Sequence, residues 1–105
     1  MADQPIPVST ANAQMTEYVT YMTGLGVNMT KQTKTVSFGG ATLSSWLAGV
    51  MPFTDELRIC LGVYPTGATR AGRINTILWP YKNGVPAVDG SGHAILPFNE
   101  GTGQP

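Results

Sequence analysis

Few of the 105 residues carry side chains suited to catalysis, and they do not form a recognisable catalytic set. Asp89, Ser91 and His93 make a D-x-S-x-H run that superficially suggests nucleophilic catalysis. A triad needs its nucleophile, base and acid to converge from rigid positions beside an oxyanion site. These residues lie instead within one Gly-rich turn, so we predict no catalytic residue and expect that the protein is not an enzyme.

The sequence also predicts no metal and no cofactor. One histidine and one cysteine fall short of the ligand set of a structural zinc, and Asp89 lacks the companion carboxylates of a calcium loop. Gly90-Ser91-Gly92 is not followed by the third glycine of a dinucleotide-binding motif. These glycines are interpreted as turn residues, and the lone Cys60, which cannot form an intrachain disulfide, as a small buried hydrophobic residue.

The surface is predicted to be unusually poor in charge. Charged residues make up 11% of the chain, against about 25% in an average soluble domain. Six basic and six acidic residues give a net charge of zero, so the sequence predicts no nucleic-acid partner and no binding to anionic lipid. Weak charge removes the repulsion that keeps small proteins apart, which favours association. The alternative is a secreted domain solvated by its many threonine hydroxyls.

The amino-terminal sequence MADQPIPVST has neither a basic region nor an apolar core, so no classical signal peptide is predicted. No apolar run approaches the roughly 18 residues that span a bilayer, so we expect no membrane insertion. The protein is therefore expected to be cytoplasmic when made. Its place of action stays open, because an extracellular or particle-associated role would require a dedicated export machine or lysis.

The chain is predicted to have three parts. Residues 1–9 form an extended arm, because Pro5 and Pro7 restrict their own backbone and that of the residue before each. Residues 10–98 form a single domain. Residues 99–105 form a flexible tail, since they have nothing to bury.

Hydrophobic periodicity predicts an α+β domain in which two helices pack on one face of a small antiparallel sheet of three to five strands. The helices are expected at 10–23 and near 42–51, and Asn83-Gly84 is a strong hairpin signal. The predicted strands lie near 35 and at 56–64, 73–82 and 94–98. The predicted core includes Val19, Met22, Phe38, Trp46, Leu47, Leu57, Ile59 and Leu61.

The order of these elements resembles a group of small, largely uncharacterised Bacteroidota proteins. In that group a first helix precedes a short strand ending in Phe, here Phe38, and then a second helix, here 42–51. A strand of the form G-[IV]-R-[IV]-Y-x-G follows, here ELRICLG at 56–62. The segment TILWP at 76–80 is similar to a T-[VI]-[VIL]-L-x-P strand but one position shorter, and a closing P-F-[ND]-x-G is matched at 97–101. The resemblance covers Thr10 to Gly101; it implies a shared fold and carries over no catalytic residue.

The predicted strands are apolar on more surface than two helices can cover. In 56–64, leucine, isoleucine and valine side chains alternate with Arg58, Cys60 and Tyr64, while 73–82 is apolar on both faces. An uncovered face that kept aromatic side chains in water would mark an interaction surface. The alternative is that loop 24–35 folds over them. The candidate interaction residues are the aromatic Tyr64, Trp79 and Tyr81, with Ile6 and Val8 of the arm.

The sequence therefore favours a non-enzymatic, self-associating structural subunit of a filament, sheath, ring or similar assembly, whose partners are copies of itself. One alternative is a small cargo or accessory protein of a phage-tail-like injection particle, which fits the Gly- and Thr-rich surface. Another is a module that binds a peptide or glycan through Trp79 and Tyr81.

Overall fold

The computed structural model describes residues 3–99 and 102–104, which form an α+β fold of two helices and short antiparallel strands. The helices are α1 (Val8–Gly24) and α2 (Gly40–Val50), and α2 continues into a 3-10 turn at Met51–Phe53. The strands are β1 (Thr35–Ser37), β2 (Glu56–Val63), β3 (Ile74–Lys82), β4 (Val85–Pro86) and β5 (Thr102–Gln104).

Helix α1 begins directly after Pro7, whose extended backbone ends the arm. Val8 therefore belongs to the helix, which corrects the prediction that the arm runs to residue 9. At the other end, Gly26 adopts a φ of 90°, and the N–H of Val27 reaches back to the carbonyl of Met22. This left-handed turn closes the helix because glycine adopts such a conformation without steric cost.

The main sheet has the strand order β2-β3-β4, and every neighbouring pair is antiparallel. Strands β2 and β3 pair along their length, from Glu56 opposite Tyr81 to Val63 opposite Ile74. Asn83 and Gly84 connect β3 to β4 with φ values of 53° and 78°. A two-residue hairpin turn with both residues left-handed is the one that Asn-Gly favours, so the hairpin prediction is confirmed.

On its other side β3 exchanges backbone hydrogen bonds with Phe98, in both directions, through Leu78. The predicted strand at 94–98 is therefore present only as isolated bridges, here and between Val88 and Ala94. Pro80 is fully buried in β3. The backbone groups of Pro80 point away from β2, where its carbonyl accepts a hydrogen bond from the N–H of Ala87. The missing N–H of the proline therefore interrupts no hydrogen bond between β3 and β2.

Strand β1 pairs with β5 in a separate two-stranded sheet, with Val36 opposite Gly103. Two expectations are corrected here. The strand near 35 does not join the main sheet, and residues 102–104 of the predicted flexible tail are an ordered strand. Residues 100, 101 and 105 lie outside the described part of the chain.

Both helices lie on one face of the main sheet, as predicted. The ring of Trp46 in α2 lies 5.0 Å from that of Phe98, and Phe38 lies 5.4 Å from the same ring. Phe98 stands directly opposite Leu78, so its side chain lies on the same side of the sheet as that of Leu78, and α2 packs against this side through Trp46. Helix α1 lies on the same side, across a groove from Leu61 and Ile74. We call this side the helix face and the opposite side the aromatic face.

The core is small and centres on β3. In the described residues the buried side chains are those of Met29, Thr33, Val50, Asn75, Leu78, Pro80 and Ala87. The predicted core residues of the helices and of the Phe38 region are half-buried. The prediction is wrong for Leu57, Ile59 and Leu61, which are exposed. They lie on the edge strand β2. The ring cluster of Phe38, Trp46 and Phe98 packs on the other side of β3, away from β2.

The segment between α1 and β1 packs against the start of β3, although its sequence shows no period. The side-chain oxygen of Gln32 accepts hydrogen bonds from the backbone N–H groups of Thr33 and Ile74. The hydroxyl of Tyr18 donates to the carbonyl of Thr33 at 3.0 Å. The segment is therefore fixed to both α1 and the sheet, and it buries Met29.

Candidate functional site

An unusual row of apolar side chains lies along β2. Leu57, Ile59, Leu61 and Val63 all point to the helix face, and they are 36%, 67%, 74% and 60% exposed. Isolated exposed apolar residues are normal on a protein surface. A contiguous row on one strand is not, and such patches mark interaction surfaces.

The backbone polar groups of these same residues point away from β3. The N–H of Tyr64 donates to the carbonyl of Arg73, and Tyr64 accepts from Gly72, so the polar groups of Tyr64 point toward β3. The direction of N–H and C=O groups alternates along a strand. The even-numbered residues of β2 therefore bond to β3, and the odd-numbered ones direct their N–H and C=O groups away from it.

Strand β2 is thus an edge strand, and within residues 3–99 and 102–104 no strand pairs with its outer side. We call this outer side, with the side chains and backbone groups of Leu57, Ile59, Leu61 and Val63, the open edge. Native proteins usually protect such edges with lysine, proline, a bulge or a covering element. The sequence between Leu57 and Val63 contains no lysine and no proline, so the open edge lacks these two protections.

The aromatic face of the same strands is already engaged by contacts within the chain. The guanidinium of Arg58 lies 3.8 Å from the centre of the Tyr81 ring, and its Nε donates to Glu56 at 2.6 Å. That hydrogen bond raises the pKa of Arg58. Tyr81 in turn contacts Trp79 edge to face, with ring centres 6.1 Å apart. One face of the Tyr81 ring is therefore occupied by a cation from its own chain.

A groove of about 710 Å³ lies between α1 and the helix face. Its walls are mainly apolar and include Met15 and Val19 from α1, and Leu61 and Ile74 from the sheet. The groove separates α1 from the sheet, which explains why none of the 17 residues of α1 is buried.

The predicted interaction residues do not form a single site, although Trp79 and Tyr81 contact each other. Ile6 lines the groove of its own chain, on the helix face. Val8 is 78% exposed on α1. Tyr64, Trp79 and Tyr81 are half-buried on the aromatic face. Sequence reasoning placed the site on the aromatic residues and the arm, and it assigned Leu57, Ile59 and Leu61 of the row in β2 to the core. The alternation of apolar residues in β2 indicates an apolar face, but it does not show whether that face packs within its own chain or against another.

The D-x-S-x-H run forms a hydrogen-bonded turn. The Oδ1 atom of Asp89 accepts from the backbone N–H groups of Ser91 and His93, both at 2.9 Å. His93 itself is exposed, with its Nδ1 atom 4.0 Å from the Asp89 carboxylate. In the described residues there is no group of three or more His, Cys, Asp or Glu side chains that could hold a metal ion. Nor is any helix in this part of the chain long and apolar enough to cross a membrane.

No family model, no curated protein and no solved structure matches the chain. The resemblance to Bacteroidota proteins therefore stays a prediction. The features that bear on function are the geometry of the open edge and the chemistry of its residues.

Proposed function

We propose that the protein is a non-enzymatic structural subunit that associates with copies of itself through the open edge. The observation that carries the proposal is that one strand offers both unpaired backbone groups and a row of exposed apolar side chains. Backbone groups of an edge strand form hydrogen bonds with any added strand, and the apolar row adds burial to that pairing.

The total surface of the chain supports the proposal. Its accessible surface is 7394 Å², whereas a folded monomer of 11.1 kDa exposes about 5,700 Å². The excess is roughly twice the 800 Å² or so that each partner buries in a standard interface. The chain therefore has surface for a further contact besides the open edge, which a filament, sheath or ring requires.

The charge distribution points the same way. A net charge of zero with only 11% charged residues gives copies of the chain little reason to repel one another. The charged pair on β2, Glu56 and Arg58, is neutralised within the strand. Association of this kind depends on apolar burial and backbone hydrogen bonds rather than on ion pairs.

The alternative of a peptide- or glycan-binding module is less well supported by the geometry. A sugar ring binds by stacking on an aromatic face, yet Arg58 covers one face of Tyr81, and Trp79 contacts Tyr81 edge to face. The aromatic face is therefore partly occupied, while the open edge is not.

Light scattering coupled to size-exclusion chromatography tests the proposal on the full chain. The expected result is a mass that rises above 11.1 kDa as the protein concentration increases. The association should persist, or strengthen, in sodium sulfate, because that salt screens ion pairs and favours apolar burial. A mass that stays monomeric at every concentration would contradict the proposed function.

A further inference from the structure

We infer that β2 pairs antiparallel with β2 of a second copy, about a twofold axis that passes beside Cys60. The inference rests on the proposed function and specifies its contact: the partner is the same chain, the surface is the open edge, and the register is fixed. The two main sheets would then form one continuous sheet across the axis.

The symmetry of the contact limits the possible registers. In a twofold antiparallel pair, the two residues that face each other must point their side chains to the same side of the sheet. Odd-numbered residues of β2 therefore face odd-numbered residues of the partner. The axis passes beside one residue of β2, and each choice of that residue gives one register.

Only the register centred on Cys60 uses the whole open edge. It places Leu57 opposite Val63 and Ile59 opposite Leu61 of the other copy, so every outward N–H and C=O group of these residues finds a partner. Centring on Ile59 instead places Val63 opposite Asp55, whose N–H already donates to Tyr81 within the chain. Centring on Leu61 places Leu57 opposite Pro65, which has no N–H.

The side chains on the aromatic face fit the same register. Arg58 stands opposite Gly62 of the second copy, and a glycine leaves room for the long side chain. Cys60 stands opposite its own symmetry mate in a pair that exchanges no backbone hydrogen bonds. In such a pair the two Cα atoms are about 4.5 Å apart, which lies within the range that a disulfide can bridge.

The lone cysteine therefore provides a direct test of the register. We expect a mild thiol oxidant to convert the native protein into a covalent dimer through Cys60. The same treatment of the denatured protein, at the same concentration, should give at least tenfold less dimer. The Cys60→Ser variant should give none.

A matched control moves the thiol along the same face of the same strand, in the double variant Cys60→Ser with Arg58→Cys. The side chain of Arg58 is 45% exposed, whereas Cys60 is half-buried, so cross-linking by random collision would favour position 58. The inferred register places position 58 opposite Gly62 and far from its own symmetry mate, so we expect this variant to associate normally without cross-linking.

The outcomes separate the inference from the proposed function. Light scattering is measured on each sample before oxidation. A protein that associates but does not cross-link at Cys60, or that cross-links as well from position 58, overturns the register and leaves self-association standing. A protein that remains monomeric at every concentration overturns both.

Discussion

Replacing Ile59 with lysine should abolish most of the association while leaving the monomer folded. Ile59 is 67% exposed in the single chain, and its side chain adds little to the core. In the paired state it packs against Leu61 of the second copy, so the substitution removes an apolar cross-strand contact and places a charge there. Lysine on an edge strand is also one of the usual protections against strand pairing.

The size of the effect follows from the exposed area. Burying a whole isoleucine side chain contributes about 1.5–3 kcal/mol, and strand pairing covers roughly a third of it. The lost cross-strand pair adds about 0.2–1 kcal/mol. Each copy therefore loses about 0.7–2 kcal/mol. A dimer contains the substitution twice, so the total is about 1.4–4 kcal/mol, and the Kd rises about 10- to 800-fold.

Sedimentation equilibrium measures that Kd, and circular dichroism verifies that the variant is folded. The matched control is Leu96→Lys, because Leu96 is 79% exposed but lies outside β2. The control should associate like the unaltered protein. A folded Ile59→Lys variant with an unchanged Kd would refute the role of the open edge.

Two further tests of the fold use three substitutions. A methyl group at Gly62 would lie 2.6 Å from the buried side-chain oxygen of Asn75, so Gly62→Ala should destabilise the domain by about 1–3 kcal/mol in urea unfolding. Gly49→Ala, where the space is open, should be neutral or stabilise α2 by up to about 1 kcal/mol. Tyr18→Phe removes the hydrogen bond to the segment between α1 and β1 and should lower the free energy of unfolding by about 0.5–1.5 kcal/mol. Equal stability of the variants in either test would contradict these packing assignments.

The parts of the fold that depend on neighbouring residues were predictable from the sequence. Helical spacing located α1 and α2, alternation located β2 and β3, and Asn83-Gly84 located the hairpin, because each pattern is set by residues close in the chain. The pairing of β1 with β5 was not predictable. It joins residues 35–37 to 102–104, and neither segment has a periodic pattern long enough to identify its partner.

The exposed row in β2 was not predicted from the sequence, for a different physical reason. The alternation in β2 correctly indicates that Leu57, Ile59, Leu61 and Val63 share one face of a strand. A pattern of this kind shows that a face is apolar, but covering it within the chain requires an element placed over the edge strand. In this fold Trp46 of α2 packs on Phe98, which lies beside β3 on the side away from β2. The row on β2 therefore remains exposed.

The backbone of the open edge gives the last prediction, which needs no substitution. The N–H groups of Ile59 and Leu61 point away from β3 and have no hydrogen-bond partner within residues 3–99 and 102–104, so in the isolated chain they should exchange rapidly with deuterium. In the paired state they bond to the second copy, and raising the protein concentration should slow their exchange in proportion to the paired fraction. Residue-resolved exchange, followed by nuclear magnetic resonance, makes the measurement. The N–H of Leu78 is the internal reference, because it donates to Phe98 within one chain at 2.9 Å and should show the same protection at every concentration. Outward amides that exchange at one rate across the whole concentration range, in a sample shown to associate, would place the contact on another surface.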